Sequence, residues 1–283
     1  MSCVSFREVL PAARRGGYGV AAFNILDYNT TRAVVRGAEE LKAPVIVQVS
    51  VKTIKLWGYD AIASWYRQLA TSASVPVVLH LDHCNDLGVI EKCIAAGWTS
   101  VMMDASSKPF EENMALTRQA MALAKPKGVT MEAELGEIGG VEDDMGVAED
   151  MAHLVDPEKA IRFCRELQPD VFAPAIGTAH GFYKGEPKIA FDRLEKIYRA
   201  VDTPFALHGG TGLKDEVFRR CIALGCAKVN ISTMLKHSFI TAFADHAKSG
   251  DDNPLNYITK QFDALKADVK TIIQTLGSAG KAA

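Results

Sequence analysis

Pro76-Val77-Val78-Leu79-His80-Leu81-Asp82-His83 is a short apolar run that ends on an acid and an imidazole. A strand buried on both faces reads as such a run, and it has no room for unpaired charge. Asp82 and His83 at its carboxyl end are therefore costly unless they do chemistry. Two further runs, Ala173 to His180 and Pro204 to His208, also lead into a histidine. Three imidazoles at three strand ends can meet at one point.

Outward from this run, short β-branched or apolar stretches alternate with longer amphipathic ones, the order of repeated βα units. The predicted strands are Gly19 to Asn24, Pro44 to Ser50, Pro76 to His83, Ser100 to Ser106, Thr130 to Gly136, Val171 to Gly177, Pro204 to Gly210 and Ala227 to Thr233. Predicted helices include Thr31 to Leu41, Leu87 to Ala96, Glu112 to Ala124, Pro157 to Leu167, Phe191 to Ala200 and Asp215 to Leu224, whose apolar residues recur at three- and four-residue steps. After the eighth strand come a helix from about Leu235 to Ala247, a polar break Ser249-Gly250-Asp251-Asp252-Asn253-Pro254, and a last helix reaching about Leu276. The expectation is one domain over residues 1–283, an α/β TIM (β/α)8 barrel with an additional C-terminal helix.

Composition narrows the function. With 283 residues, 48% of them hydrophobic and 23% charged, the chain reads as a globular protein with a large core. A formal net charge of −2 from interspersed charges gives no electrostatic case for nucleic acid or an anionic membrane. The six cysteines form no CxxC pair and read as reduced, buried thiols of a cytoplasmic protein. The N-terminus does not read as a secretion signal, and no stretch approaches the roughly 18 apolar residues of a membrane span. A small-molecule enzyme is the expectation.

In a barrel the working residues stand at the carboxyl ends of the strands. Three neutral imidazoles leave one position open on a four-coordinate Zn²⁺, the arrangement of a catalytic site; His83, His180 and His208 are the candidate ligands. His80, on the same strand face as Asp82, reads as a supporting or core histidine, and His153, His237 and His246 as ordinary ones. Asp104 and Glu134 are either hydrogen-bonded carboxylates in the barrel mouth or a second metal position. Gly209-Gly210-Thr211-Gly212 and Asn230-Ile231-Ser232-Thr233 follow strands seven and eight, where this fold binds phosphate. The glycine-rich segment Gly136 to Met145 is either a solvated acidic loop or a lid that carries Glu142 over the site as a mobile base.

With these residues in hand, the chain resembles the class II, metal-dependent ketose-bisphosphate aldolases, within them the shorter fructose- and tagatose-bisphosphate enzymes. The resemblance rests on His80-Leu-Asp-His83, Ser100-Val-Met-Met-Asp-Ala-Ser106, Glu132-Ala-Glu-Leu-Gly136 with Gly139-Gly140 and Glu142-Asp143-Asp144, Ile176-Gly-Thr-Ala-His-Gly181, Leu207-His-Gly-Gly-Thr-Gly212 and Lys228-Val-Asn-Ile-Ser-Thr233. It implies that His83, His180 and His208 hold Zn²⁺, that Asp104 and Glu134 form a second position for a divalent or a monovalent cation, that Asp82 moves the proton of the C4 oxygen, and that Glu142 is the base at C1 of dihydroxyacetone phosphate. Ser50, Gly181, Gly209, Gly210, Thr211, Asn230, Ile231, Ser232 and Thr233 match contacts to that phosphorylated sugar fragment. It further implies a glycolytic type of reaction and a homodimer or homotetramer, with a separate stabilising subunit in some tagatose enzymes.

Two departures stand out. Relatives commonly carry Asp-Pro-Arg before the last helix, its arginine holding the distal phosphate; here the string is Asn253-Pro254-Leu255. Met234 stands where many relatives have an acid. Three readings stay open: an aldolase for a ketose 1,6-bisphosphate, one for a ketose 1-phosphate or other modified sugar phosphate, and a non-catalytic barrel subunit stabilising a partner aldolase.

Overall fold

The computed structural model describes residues 2–142, 145–147 and 153–282, the side chains of residues 141, 142 and 145–147 excepted. The chain begins with β1 (Cys3–Val4), α1 (Phe6–Gly16), β2 (Val20–Asn24), α2 (Tyr28–Glu40), β3 (Val45–Ser50), α3 (Val51–Trp57), α4 (Tyr59–Thr71) and β4 (Val77–Asp82). It continues with α5 (Leu87–Ala96), β5 (Ser100–Met103), α6 (Phe110–Ala124), β6 (Thr130–Leu135), β7 (Gly139–Glu142), β8 (Met145–Val147), α7 (Pro157–Leu167) and β9 (Val171–Pro174). Last come β10 (Ala179–His180), α8 (Phe191–Tyr198), β11 (Phe205–Leu207), α9 (Asp215–Ala223), β12 (Cys226–Ile231), α10 (Thr233–Lys248) and α11 (Pro254–Thr275).

Eight parallel strands run in the order β4-β3-β2-β12-β11-β9-β6-β5, and the pairing of β4 with β5 closes them into a barrel. Every predicted barrel strand is present, shortened at its carboxyl end in most cases because the last predicted residues turn out of the ladder to form the mouth. Alternate residues of a strand share a face, and that rule sorts the barrel. Val77, Leu79 and Leu81 of β4 pack outward into the core under the helices. Val78 joins an apolar cluster inside the barrel with Val20, Ala22, Ile46, Val171, Ala173, Ala206 and Ala227. Continuing along the same faces, Asn24, Gln48, His80, Asp82, Glu132 and Glu134 are all buried, as are Lys228 and Asn230 past the register shift between β11 and β12. The interior is therefore apolar at the amino end of the strands and polar at the carboxyl end.

The apolar end is plugged by α1, which the strand pattern did not reveal. Ser5 starts it with a capping box to Glu8, and Phe6, Val9, Leu10 and Ala13 enter the inner cluster. Each of the larger three contributes roughly 1.5–3 kcal/mol by leaving water. The polar break before the last helix proves to be its cap: Asn253 accepts from the Leu255 N–H, and Pro254 occupies the first turn, where no N–H is needed.

One predicted strand end differs. β9 stops at Pro174, and His180 lies in β10, which belongs to a separate sheet of order β10-β7-β8. Gly177 makes the intervening turn at φ 96°, where a Cβ would meet the Lys188 carbonyl oxygen at 2.3 Å. The expected glycine-rich loop is thus partly a pair of strands: Gly139 and Gly140 stand beside Ala179 and His180 in a parallel ladder, and β7 pairs antiparallel with β8. No helix among the described residues is long and apolar enough to cross a membrane. All six cysteines are free.

Candidate active site and metal centre

His83 follows the last residue of β4 and adopts φ 42°, a left-handed conformation uncommon for a residue with a Cβ. The surroundings impose it: the Asp104 N–H donates to the Cys84 carbonyl at 2.7 Å, and His83 Nδ1–H donates to Asp104 Oδ2 at 2.8 Å. That bond places the proton on Nδ1 and leaves Nε2 with a lone pair. His208, one residue past β11, is fixed the other way round, its Nε2–H donating to Glu132 Oε1 at 2.7 Å. Its Nδ1 lies 2.8 Å from His83 Nε2. Two ring nitrogens this close are held together by a proton or by a metal ion. A proton serves when it comes from His83: burial alone would lower that ring, but Asp82, Asp104 and Glu134 outweigh it and raise it well above its ordinary value. A divalent metal could replace that proton, with both rings as ligands.

His180 completes the cluster. Its ring centroid is 5.0 Å from that of His83 and 6.0 Å from that of His208, and one nitrogen from each ring falls within 4.8 Å of the others. Burial, reinforced by His83, lowers His180 to about 3 and His208 well below the usual range, so both present the neutral imidazole a metal needs. His83, Asp104 and Glu134 form a second group with the same spacing. Burial pushes the Asp104 carboxyl up, yet the His83 bond and the Ser106 donors outweigh it and hold it at about 2. Glu134 is raised well above the carboxylate range by burial and then by Asp104; a cation between the two acids relieves that repulsion. The residues fit a divalent metal centre.

Asp82 sits beside this cluster, 1% exposed, in a cradle of three amides. Asn24 Nδ2 donates to its Oδ2 at 2.9 Å, Gln48 Nε2 to the same oxygen at 3.2 Å, and Asn230 Nδ2 to Oδ1 at 3.2 Å. Although burial favours the acid form, His83, Lys228, His208 and the Asn24 amide together keep its carboxyl below the usual range. Sequence reading did not single out Asn24 and Gln48. The signal was there: each is a lone amide in an apolar strand, on the face that points into the barrel.

A small polar cradle adjoins this centre at His180 and is lined by His180, Gly181, Gly209, Gly210, Thr211, Asn230, Ser232 and Thr233. α10 starts there without a side-chain cap, and the buried Ser232 hydroxyl has no hydrogen-bond partner among the described residues. The Met234 N–H already donates to Thr211 Oγ1 at 3.4 Å; the other N–H groups of a helix start and a hydroxyl without a partner suit an anion. Gly209 is required by its φ of 67° and by contact: a Cβ would stand 2.4 Å from the Ala179 carbonyl oxygen. Tyr183, also missed in the sequence, ties the two loops by accepting from Ala179 N–H at 3.1 Å and donating to Gly209 O at 2.7 Å. Ile231 packs its side chain in the outer core, so it offers the cradle only backbone. Ser50 ends β3 opposite Asp82 and caps α3 by accepting from Thr53 N–H. The side chain of Glu142, together with Asp143 and Asp144, lies outside the described residues. Its neighbour Gly140, at φ 93°, would bring a Cβ to 2.2 Å from the His180 carbonyl oxygen.

Comparison with known proteins agrees with this geometry. A family model described as fructose-bisphosphate aldolase class-II matches residues 4–281. The chain is 40% identical over 288 residues to a fructose-bisphosphate aldolase of Geobacillus stearothermophilus, covering 100% of both chains. Among solved structures it matches the YdjI aldolase from Escherichia coli K12 with a TM-score of 0.88 and 31% identity, over 99% of this chain and 100% of that one. A putative fructose-1,6-biphosphate aldolase from Coccidioides immitis gives a TM-score of 0.91 at 28% identity, over 98% and 97%.

Proposed function

The chain belongs to the class II fructose-bisphosphate aldolase family, and on that premise we propose that it is a zinc-dependent aldolase cleaving a ketose 1,6-bisphosphate, of fructose or tagatose, reversibly to dihydroxyacetone phosphate and glyceraldehyde 3-phosphate. The observation that supports the reading is that one ring nitrogen from each of His83, His180 and His208 falls within 4.8 Å of the others, beside a carboxylate held by three amides.

His83, His180 and His208 would hold the ion, Asp104 and Glu134 a second divalent or a monovalent cation. When bound, the metal polarises the C2 carbonyl as a Lewis acid and carries the charge that cleavage leaves there. Asp82 takes the proton of the C4 hydroxyl as the C3–C4 bond breaks, so C4 departs as an aldehyde and the electron pair stays on the three-carbon fragment. The amide donors keep Asp82 ionised and aimed for that transfer. Glu142 is our candidate for exchanging the proton at C1 of dihydroxyacetone phosphate. Gly181, Gly209, Gly210, Thr211, Asn230, Ser232, Thr233 and the Ile231 backbone hold its phosphate, with Ser50 as a further contact. The same proposal includes a cytoplasmic location, for which free, mostly buried thiols speak. It also includes association as a homodimer or homotetramer, supported by exposed Ile240, Phe243, Leu255 and Ile258 on α10 and α11.

One observation favours a second reading, cleavage of a ketose 1-phosphate. Leu255 is 68% exposed at the start of α11, and Lys260, the cation nearest in sequence, lies 3.9 Å from Asp251. An arginine would have given a distal phosphate a bidentate, charge-assisted pair. A panel of ketose mono- and bisphosphates, followed by release of dihydroxyacetone phosphate, tests both readings. The expected result is cleavage with only a weak preference for bisphosphate, which Leu255→Arg strengthens mainly through KM, since a remote contact formed equally in ground and transition states changes binding more than turnover. A strong native preference that Leu255→Arg leaves unchanged would place the distal contact elsewhere; no release from any member would refute the aldolase assignment.

A further inference from the structure

Beneath the histidine cluster, Glu132 and Lys228 are both 0% exposed and paired at 3.0 Å. A buried ion pair is a weak source of stability, because desolvation offsets the attraction, so its presence calls for another reason. Glu132 Oε1 accepts from His208 Nε2–H at 2.7 Å and from Lys228 Nζ at 3.3 Å. Its Oε2 lies 3.3 Å from His80 Nε2, whose ring is held at the other nitrogen by Ser100 at 2.9 Å and flanked by Phe6 of the plug helix. Lys228 also donates to Asn230 Oδ1 at 2.6 Å, which turns that amide's NH2 toward Asp82 Oδ1 at 3.2 Å and His208 Nδ1 at 3.4 Å.

We propose that Glu132 is a positioning residue for the metal centre: it holds the His208 proton on Nε2 so that the Nδ1 lone pair faces the metal, and Lys228 anchors it while orienting Asn230 against Asp82. The inference rests on the metal-dependent aldolase reading. A neutral imidazole has two tautomers, and only one leaves Nδ1 able to ligate. No other carboxylate among the described residues stands at His208 Nε2. The partners also lie on adjacent inward positions: Glu132 precedes Glu134 by two residues, and Lys228 precedes Asn230 by two, so one row supports the row that meets substrate.

The test measures divalent metal affinity, with Zn²⁺ and Co²⁺ competed against a chromophoric chelator, in wild type and two double variants. E132M/K228M replaces the pair with apolar side chains of similar volume, a change that a purely structural ion pair tolerates. It leaves His208 Nε2–H and Asn230 Oδ1 without their partners, so it is expected to unfold at a lower temperature than wild type, and its folded form to bind metal about 10–100-fold more weakly. E132Q/K228M restores an oxygen that can accept from His208 Nε2–H and is expected to recover part of the loss. Wild-type affinity in E132M/K228M would overturn the proposal while leaving the aldolase reading intact; absence of metal binding in wild type would overturn both. ¹⁵N shifts of His208 in the wild-type holoenzyme give a second readout independent of variant folding. A proton on Nε2 is expected, and a proton on Nδ1 would overturn the assignment.

Discussion

Asp82→Ala protein is expected to retain its metal and its affinity for dihydroxyacetone phosphate while cleaving ketose phosphate about 10²–10⁴-fold more slowly, the usual worth of general acid–base assistance. The cradle makes this separation clean. Asn24, Gln48 and Asn230 hold the carboxylate, whereas the imidazoles are held by Asp104 and Glu132. Removing the Asp82 carboxylate leaves three buried amides short of an acceptor, so some stability is lost, roughly 1–3 kcal/mol for each donor that water does not reach. Asp82→Asn reduces that loss, since it keeps the shape and one acceptor oxygen for the Asn24 and Gln48 amides while removing the base. Either variant turning over near the wild-type rate would take Asp82 out of the mechanism.

The second large effect belongs to His83. His83→Gly removes the imidazole and suits the φ of 42° that the backbone holds there, so the fold is expected to persist while the proposed metal centre loses one of its candidate ligands. A metal acting as Lewis acid supplies several kcal/mol of transition-state stabilisation, and kcat/KM should fall by roughly three orders of magnitude or more. His83→Ala should show the same loss of activity with lower stability, because alanine must keep a left-handed backbone. Metal content by elemental analysis and thermal unfolding read the two effects separately. Full metal content with full activity in His83→Gly would remove this residue from the centre.

The barrel was legible because its strands are buried on both sides and so read as continuous apolar runs broken only where they reach the mouth. His83 and His208 were legible for the same reason, each ending such a run. His180 was legible as a residue but not in its place, since nothing in Ala173 to His180 marks where the ladder ends except Pro174, which lacks an N–H, and Gly177, which turns the chain. Asn24, Gln48, Glu132 and Lys228 were visible as polar letters in apolar strands. Their roles were not visible, because each acts on a residue from a different strand and the pairing is made by barrel closure. Tyr183 left no pattern at all: its hydroxyl bridges two loops that only the fold brings together. The plug helix α1 did carry a signal, apolar residues at Phe6, Val9, Leu10 and Ala13, but the alternation of strands and helices draws attention away from a helix that precedes the first strand.

The proposed chemistry depends on a cation shared by the imidazoles, and the most direct measurement compares one preparation in three states: as purified, stripped by chelator, and reloaded with stoichiometric Zn²⁺. Release of dihydroxyacetone phosphate from fructose and tagatose phosphates is followed in each, with bound metal quantified in parallel. Turnover is expected to disappear with the metal and return with its reloading, in proportion to occupancy. Undiminished turnover in demonstrably metal-free protein would contradict that dependence.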